Sequence, residues 1–169
     1  MNKLDDMLKF RYVVFDFDNT LAGHTAYAME YSEYKAEMVR YLQGKVTFND
    51  VEVNEHLKKC MDFLSEHNVP MGLCSAISDN PVALRAEAKV QWVKDNYGHN
   101  LRNLCTNEAP AKSMMLEILQ EALGCNAEDI LMVDDSYDVL EDCASKGFSV
   151  CTPMHIVNLV SKEETKDEM

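Results

Sequence analysis

Tyr12-Val13-Val14-Phe15-Asp16-Phe17-Asp18-Asn19-Thr20 is the stretch of sequence that decides the fold. It begins with aromatic and β-branched residues in an unbroken apolar run, which predicts a buried strand over 11–17. Asp16 and Asp18 stand at the end of that strand. Because side chains alternate along a strand, we expect Phe17 between them to point away into the core. The stretch therefore predicts a buried strand that presents two carboxylates at its carboxyl end.

Strand-like and helix-like segments alternate along the rest of the chain. Apolar runs predict strands at 69–74, 101–106, 130–133 and 148–151, and helical periodicity predicts helices at 25–43, 49–67, 81–97, 111–123 and 136–146. This alternation is typical of an α/β fold with a parallel sheet and right-handed crossovers. We predict a Rossmann-like parallel sheet of about five strands with helices on both faces.

The sequence predicts a single domain over 1–169, with its core at about 10–152. One helix between the first two strands is needed for the crossover, so 23–48 leaves room for a small helical lid at most. We expect Pro153 to close the last strand. The charged segment 161–169 is predicted to be a solvated or frayed acidic tail.

Composition restricts the class of protein. The formal net charge of -13 argues against electrostatic binding of nucleic acid over a broad surface, because such binding needs clustered Lys and Arg. No apolar stretch is long enough to span a membrane, and the first nine residues lack the apolar core of a signal peptide. The six cysteines form no CxxC pair, so we expect reduced thiols. These features predict a soluble, cytoplasmic protein. They do not indicate its oligomeric state.

Polar residues follow three of the predicted strands. Asp16 ends the first strand, Ser75 the second, and Asp134 and Asp135 follow the fourth. In open parallel sheets, ligands bind at the carboxyl ends of the strands. Lys112 opens the helix before the fourth strand, so we expect it at the same edge.

These residue types suit phosphoryl transfer, which needs a nucleophile, a proton donor and positive charge. Asp16 can attack phosphorus, and Asp18 can protonate the leaving oxygen and then activate water. Crowded carboxylates need a cation, and Mg²⁺ prefers oxygen ligands. Asp16 and Asp135 are the first choices as ligands, with Asp134 and Asp138 next.

The run Asp16-Phe17-Asp18-Asn19-Thr20-Leu21 matches the DxDx(T/V) motif of the haloacid dehalogenase (HAD) superfamily of phosphatases. Ser75 resembles its second motif, Lys112 its third, and Val133-Asp134-Asp135-Ser136-Tyr137-Asp138 its acidic fourth motif. The motifs stand in family order over roughly residues 10–152. This likeness implies a HAD-like core with a small cap or none.

The resemblance also implies site roles. Mg²⁺ would be bound by Asp16, by the backbone carbonyl of Asp18, and by Asp135 or Asp134. The substrate phosphate would be bound by Thr20, Ser75, Ala76 and Lys112, which form the predicted phosphate-binding set. Because dehalogenases lack the second aspartate, Asp18 favours a phosphatase.

Several alternatives stay open at the level of sequence. Ser78 competes with Ser75 for the second motif, and Asp138 competes with the paired aspartates for the metal. The run Lys89-Val90-Gln91-Trp92-Val93 resembles deoxyribonucleotidases and polynucleotide 3′-phosphatase domains, although Trp92 also fits a core position. We expect a phosphatase for a small phosphomonoester, such as a nucleotide or sugar phosphate. A phosphotransferase or phosphomutase and a non-catalytic interaction module are the alternatives.

Overall fold

The computed structural model describes residues 1–18, 20–23, 52–77, 86–107 and 110–168. Within these residues the strands are β1 (Tyr12–Phe15), β2 (Ala22–Gly23), β3 (Glu52–Val53), β4 (Met71–Leu73), β5 (Ala76–Ile77), β6 (Arg102–Asn103), β7 (Thr106–Asn107), β8 (Ile130–Val133) and β9 (Ser149–Cys151). The α-helices are α1 (Glu55–Glu66), α2 (Ala86–Tyr97), α3 (Lys112–Leu123), α4 (Tyr137–Ser145) and α5 (Pro153–Asp167). Short 3₁₀ helices cover Leu4–Lys9 and Ala127–Asp129.

The main sheet has five strands in the order β6-β4-β1-β8-β9. Every pair of neighbours in it is parallel, so the predicted parallel sheet is confirmed. The chain adds β4 and β6 on one side of β1 and β8 and β9 on the other. The strand order therefore reverses at β1, and the crevice at its carboxyl end is the place where such sheets bind ligands.

Side chains of β1 alternate between two hydrophobic clusters, one on each face of the sheet. Val13 and Phe15 pack in the cluster that contains apolar residues of α1, α2 and α5. Tyr12 and Val14 pack in the other cluster, with residues of α3 and α4. All four strand residues are buried, as a central parallel strand requires. Helices on both faces, as predicted, are therefore confirmed.

Gly72 in β4 leaves space that side chains of neighbouring residues fill. A Cβ added at Gly72 would lie 2.9 Å from the Tyr12 ring and 2.9 Å from Leu104 Cδ1. Those distances are shorter than van der Waals contact, so a larger residue would displace the Tyr12 or Leu104 side chain.

Helix α1 begins later than the predicted start at residue 49. The side chain of Asn54 accepts a hydrogen bond from Leu57 N at 3.2 Å and caps the helix. Residues 52–53 form β3, which pairs antiparallel with β2. The predicted helix 25–43, and with it most of the predicted lid, lies outside the described residues, as do residues 81–85 of the predicted helix 81–97.

The prediction of a frayed C-terminal tail was wrong. The last strand ends at Cys151, before Pro153, as predicted, but Pro153 then begins α5, which extends through most of the predicted tail to Asp167. Thr152 Oγ1 accepts a hydrogen bond from His155 N, and a proline in the first helical turn removes no helical hydrogen bond. Glu164 forms an ion pair with Lys59 of α1, so the acidic segment lies against the fold.

Tyr97, at the end of α2, joins the two ends of the segment 24–51. Its hydroxyl donates to Leu21 O at 2.5 Å and accepts from Asn54 N at 3.0 Å. Tyr97 is 1% exposed, so its bond to Leu21 O is buried, and its bond from Asn54 N is partly buried. No helix within the described ranges is both long and apolar enough to cross a membrane.

Candidate active site

Three strand ends meet at the carboxyl edge of the sheet. The ladder of backbone hydrogen bonds continues past the strands, since Asp16 N donates to Val133 O and Cys74 N donates to Phe15 O, both at 2.9 Å. This continuation holds Asp16 between the residues that follow β4 and β8. Ser75 and Asp134 are thus brought to the two sides of Asp16, as the sequence predicts for residues at the ends of parallel strands.

The acidic residues of this edge form a compact group. Carboxylate oxygens of Asp16, Asp134 and Asp135 all lie within 4.8 Å of one another. Asp16 is 5% exposed and Asp134 is 1% exposed, whereas Asp135 is half-buried. Asp138 is exposed on the first turn of α4 and does not belong to the group.

One lysine bridges two members of this acidic group. Lys112 Nζ lies 2.6 Å from Asp16 Oδ1 and 2.7 Å from Asp134 Oδ2. Lys112 is the first residue of α3, and the preceding residue Ala111 is the N-cap with extended backbone. The helix therefore begins at the carboxyl edge of the sheet, where its first side chain reaches two strand ends.

The electrostatics of the group favour an additional cation. Burial raises the pKa of Asp16 to about 8; the charge of Lys112 opposes this rise, and Asp134 reinforces it. Burial also raises the pKa of Asp134, again against Lys112. Burial lowers the pKa of Lys112, but the two carboxylates outweigh it and raise that pKa above its ordinary value. The single positive charge of Lys112 thus does not neutralise the negative charge of the buried carboxylates. Their clustered oxygens are hard ligands, which suit Mg²⁺.

Further hydrogen bonds orient the two buried carboxylates. Thr20 Oγ1 donates to Asp16 Oδ2 at 3.3 Å, and Ser136 N donates to Asp134 Oδ1 at 2.9 Å. Together with Lys112, these contacts occupy both oxygens of each carboxylate. The sequence predicts Thr20 as a phosphate-binding residue, and the structure places its hydroxyl on Asp16.

Lys89 is a site residue that the sequence analysis did not assign. Its Nζ lies 2.7 Å from Ser75 Oγ, 3.0 Å from Ala76 O and 3.2 Å from Asp18 Oδ2. The residue is 5% exposed on α2. Trp92, three positions later, is buried as the sequence predicts, and this spacing on one helix face could have placed Lys89 at the protein interior.

The predicted phosphate-binding residues Ser75 and Ala76 lie where Lys89 meets the end of β4. Ser75 is 1% exposed, while Ala76 is exposed in β5 and accepts the lysine bond through its carbonyl. The competing residue Ser78 lies outside the described residues. The Asp18 side chain is 52% exposed, so it borders both the buried lysine and the solvent.

No protein-family model matches the sequence, and no curated protein matches it. Solved structures do match the fold. The cobalt-bound deoxy-D-mannose-octulosonate 8-phosphate phosphatase of Haemophilus influenzae is 14% identical, with a TM-score of 0.51 over 90% of this chain and 76% of that chain. A HAD-superfamily hydrolase of Ehrlichia chaffeensis is 12% identical, with a TM-score of 0.53 over 90% and 96%.

A third match is the N-terminal part of protein BF1531 of Bacteroides fragilis, which contains a phosphatase domain complexed with Mg. It is 12% identical, with a TM-score of 0.57 over 89% of this chain and 41% of that chain. The parallel sheet with helices on both faces defines a doubly wound α/β protein. Its fold is similar to that of these HAD-superfamily and phosphatase structures, as the motifs predict; at these identities the likeness establishes the fold alone.

Proposed function

We propose that this protein is a Mg²⁺-dependent phosphatase that hydrolyses a small phosphomonoester through an aspartyl-phosphate on Asp16. The observation that carries the proposal is the placement of Asp16. Its carboxylate lies at the switch point of the sheet, within 4.8 Å of two further carboxylates and 2.6 Å from Lys112 Nζ. A nucleophile surrounded by cation-binding groups in a sheet crevice suits phosphoryl transfer.

In the proposed reaction, a carboxylate oxygen of Asp16 forms a bond to phosphorus as the bond from phosphorus to the leaving oxygen breaks. Asp18 gives a proton to that leaving oxygen and releases the alcohol. In the second step Asp18 takes a proton from water, whose oxygen attacks the aspartyl-phosphate. Phosphate then leaves and Asp16 is restored, so each residue ends in its starting state.

The acidic group would hold the metal ion. Asp16, Asp135 and Asp134 supply carboxylate oxygens, and the backbone carbonyl of Asp18 is the fourth protein ligand in this proposal. Bound Mg²⁺ would neutralise charge on the transferring phosphate. The solved structures of the Haemophilus influenzae and Bacteroides fragilis proteins carry cobalt and Mg by their descriptions, which supports a divalent cation here.

The phosphate oxygens would be bound on the side of Asp16 away from the core. In this proposal Ser75 and Ala76, after β4, and the positive charge of Lys112, from α3, would bind these oxygens. The net charge of -13 favours a small phosphorylated substrate over a nucleic acid. The description of the Haemophilus influenzae protein as a sugar-phosphate phosphatase supports including sugar phosphates, beside nucleotides, among the candidates.

The test is a hydrolysis assay with p-nitrophenyl phosphate and a panel of nucleotides and sugar phosphates, with Mg²⁺ or with a chelator. We expect phosphate release that requires Mg²⁺ and is abolished in Asp16→Asn. Asp95→Asn is the matched control, because Asp95 is exposed on α2 and bonds to Gln91. Full activity of Asp16→Asn would contradict the proposal, and transfer of phosphate to an added alcohol would assign a phosphotransferase instead.

A further inference from the structure

We propose that Lys89 is a positioning residue, which holds the Asp18 carboxylate at the leaving-group side of the site and fixes it to the end of β4. The inference rests on the proposed phosphatase function and extends it to a residue outside the motif set. Lys89 belongs to α2, which carries none of the strand-end residues from which the site was predicted.

The first support is the number of contacts that the Lys89 ammonium makes. A lysine carries three N–H donors, and Nζ of Lys89 lies within hydrogen-bond distance of three acceptors on Asp18, Ser75 and Ala76. The side chain is 7% exposed. Burying a charge is costly unless it is paired and hydrogen-bonded, so this lysine is held at one place by its acceptors.

The second support is how the lysine is packed. Its Nζ lies 5.3 Å from the centroid of the Phe17 ring, a cation–π distance. The Trp92 ring of the same helix meets Phe17 edge-on, with centroids 5.3 Å apart and planes at 84°. Phe17 stands between Asp16 and Asp18, so α2 fixes the loop of the two aspartates through both its lysine and its indole ring.

The third support is the contrast between the two site lysines. Lys112 contacts Asp16 and Asp134, the nucleophile and one candidate metal ligand. Lys89 contacts Asp18, the proposed proton donor, at the neighbouring side of the crevice. The Asp18 side chain is half-exposed whereas the lysine is buried. The lysine is thus the fixed partner, and the carboxylate lies between it and the solvent.

This role predicts a dependence on the leaving group. An alkyl leaving oxygen needs a proton from Asp18, whereas p-nitrophenolate leaves without one. A misplaced Asp18 therefore slows the first step more for alkyl phosphates than for p-nitrophenyl phosphate, whereas it affects the second step of both substrates alike. A lysine that only bound the transferring phosphate would slow both substrates alike, because both carry the same phosphoryl group.

The experiment compares wild type, Lys89→Met and Lys89→Arg on p-nitrophenyl phosphate and on the best alkyl phosphate of the panel. We expect kcat/KM of Lys89→Met, which reports formation of the aspartyl-phosphate, to fall about 10-fold more on the alkyl ester, with partial rescue in Lys89→Arg. In an Asp18→Asn background, Lys89→Met is expected to have little further effect on the alkyl ester. Lys94→Met, an exposed lysine of the same helix, is the control.

Equal losses of kcat/KM on both substrates, or additive losses with Asp18→Asn, would overturn the positioning role while leaving the phosphatase proposal intact. A wild type that hydrolyses no phosphomonoester would overturn both. If thermal unfolding shows that Lys89→Met does not fold, Lys89→Gln serves in the same comparison, because it keeps a hydrogen-bond donor but removes the charge.

Discussion

Lys112 Nζ lies 2.6 Å from Asp16 Oδ1, so the first residue of α3 is tied directly to the proposed nucleophile. The same ammonium lies 2.7 Å from Asp134 Oδ2. Because helices α3 and α4 pack on one face of the sheet, this lysine reaches the site from a rigid element and not from a loop. Rigid placement of a charge lets it stabilise a transition state without reorganisation.

We predict that Lys112→Met lowers kcat by about 10²–10³-fold, the range seen when one preorganised donor is removed from a transition state. Lys146→Met is the matched control, since Lys146 pairs with the exposed Glu117 on the same pair of helices. Steady-state kinetics with p-nitrophenyl phosphate measures both. Similar kcat values for the two variants would contradict the role of Lys112.

The raised pKa of Asp16 predicts how stability changes with pH in the metal-free protein. Burial raises the pKa of Asp16 in the folded protein to about 8, whereas its ordinary pKa is 3.8. The stabilisation from this group is therefore complete below about pH 4 and is lost as pH rises to about 8. Because asparagine cannot ionise, the Asp16→Asn variant does not lose this stabilisation as the pH rises.

We expect Asp16→Asn to gain stability relative to wild type between about pH 5 and about pH 8 in the presence of a chelator. A difference of about 1 kcal/mol corresponds to about 2–4 °C in Tm for a chain of this size. Thermal unfolding across that pH range is the measurement. A difference between the two proteins that does not change with pH would show that Asp16 is not the responsible group.

Stabilisation by Mg²⁺ is predicted to show which of the candidate aspartates binds the metal. Mg²⁺ at about 100 times its Kd raises the free energy of unfolding by about 2.7 kcal/mol if it binds the folded state alone. Asp135→Asn is expected to remove most of that stabilisation, because Asp135 belongs to the carboxylate group around Asp16. Asp138→Asn, outside the group, serves as the control. Thermal unfolding with Mg²⁺ and with chelator distinguishes them, and the reverse ranking would assign the metal to Asp138.

Much of the fold was predictable because the deciding signals are local. The strand 130–133 was predicted at its observed bounds, since an unbroken apolar run ends at a charged pair. The end of α3 was predicted from Gly124, which adopts φ 62°, a left-handed conformation that glycine adopts readily. Pro153 was correctly predicted to follow the last strand, but the helix that it begins was missed, because the charged tail hid it and only the bond from His155 N to Thr152 Oγ1 and the buried face of α5 reveal it.

The candidate site was predictable where a residue follows a strand or, as Lys112 does, opens a helix at the same edge of the sheet. Asp16, Ser75 and Asp134 obey that rule and meet at one edge. Lys89 lies in the middle of a helix, and its contacts with Asp18 and the end of β4 come from tertiary packing. The spacing of Lys89 to Trp92 indicates the buried face of the helix but does not decide the role of the lysine, because the same spacing describes a surface lysine whose stem covers apolar neighbours.

The last prediction concerns the hydroxyl of Tyr97, which bonds to residues on both sides of the segment 24–51. The hydroxyl donates to Leu21 O and accepts from Asn54 N, and Tyr97→Phe removes both hydrogen bonds while keeping the ring. Two lost hydrogen bonds with their partners left buried or partly buried cost about 1–3 kcal/mol of unfolding free energy. Tyr137→Phe is the control, because Tyr137 is 78% exposed and its loss is expected to be near zero. Urea unfolding of wild type and the two variants measures these free energies. A Tyr97→Phe variant as stable as wild type would show that the Tyr97 hydroxyl does not stabilise the contact between Leu21 and Asn54.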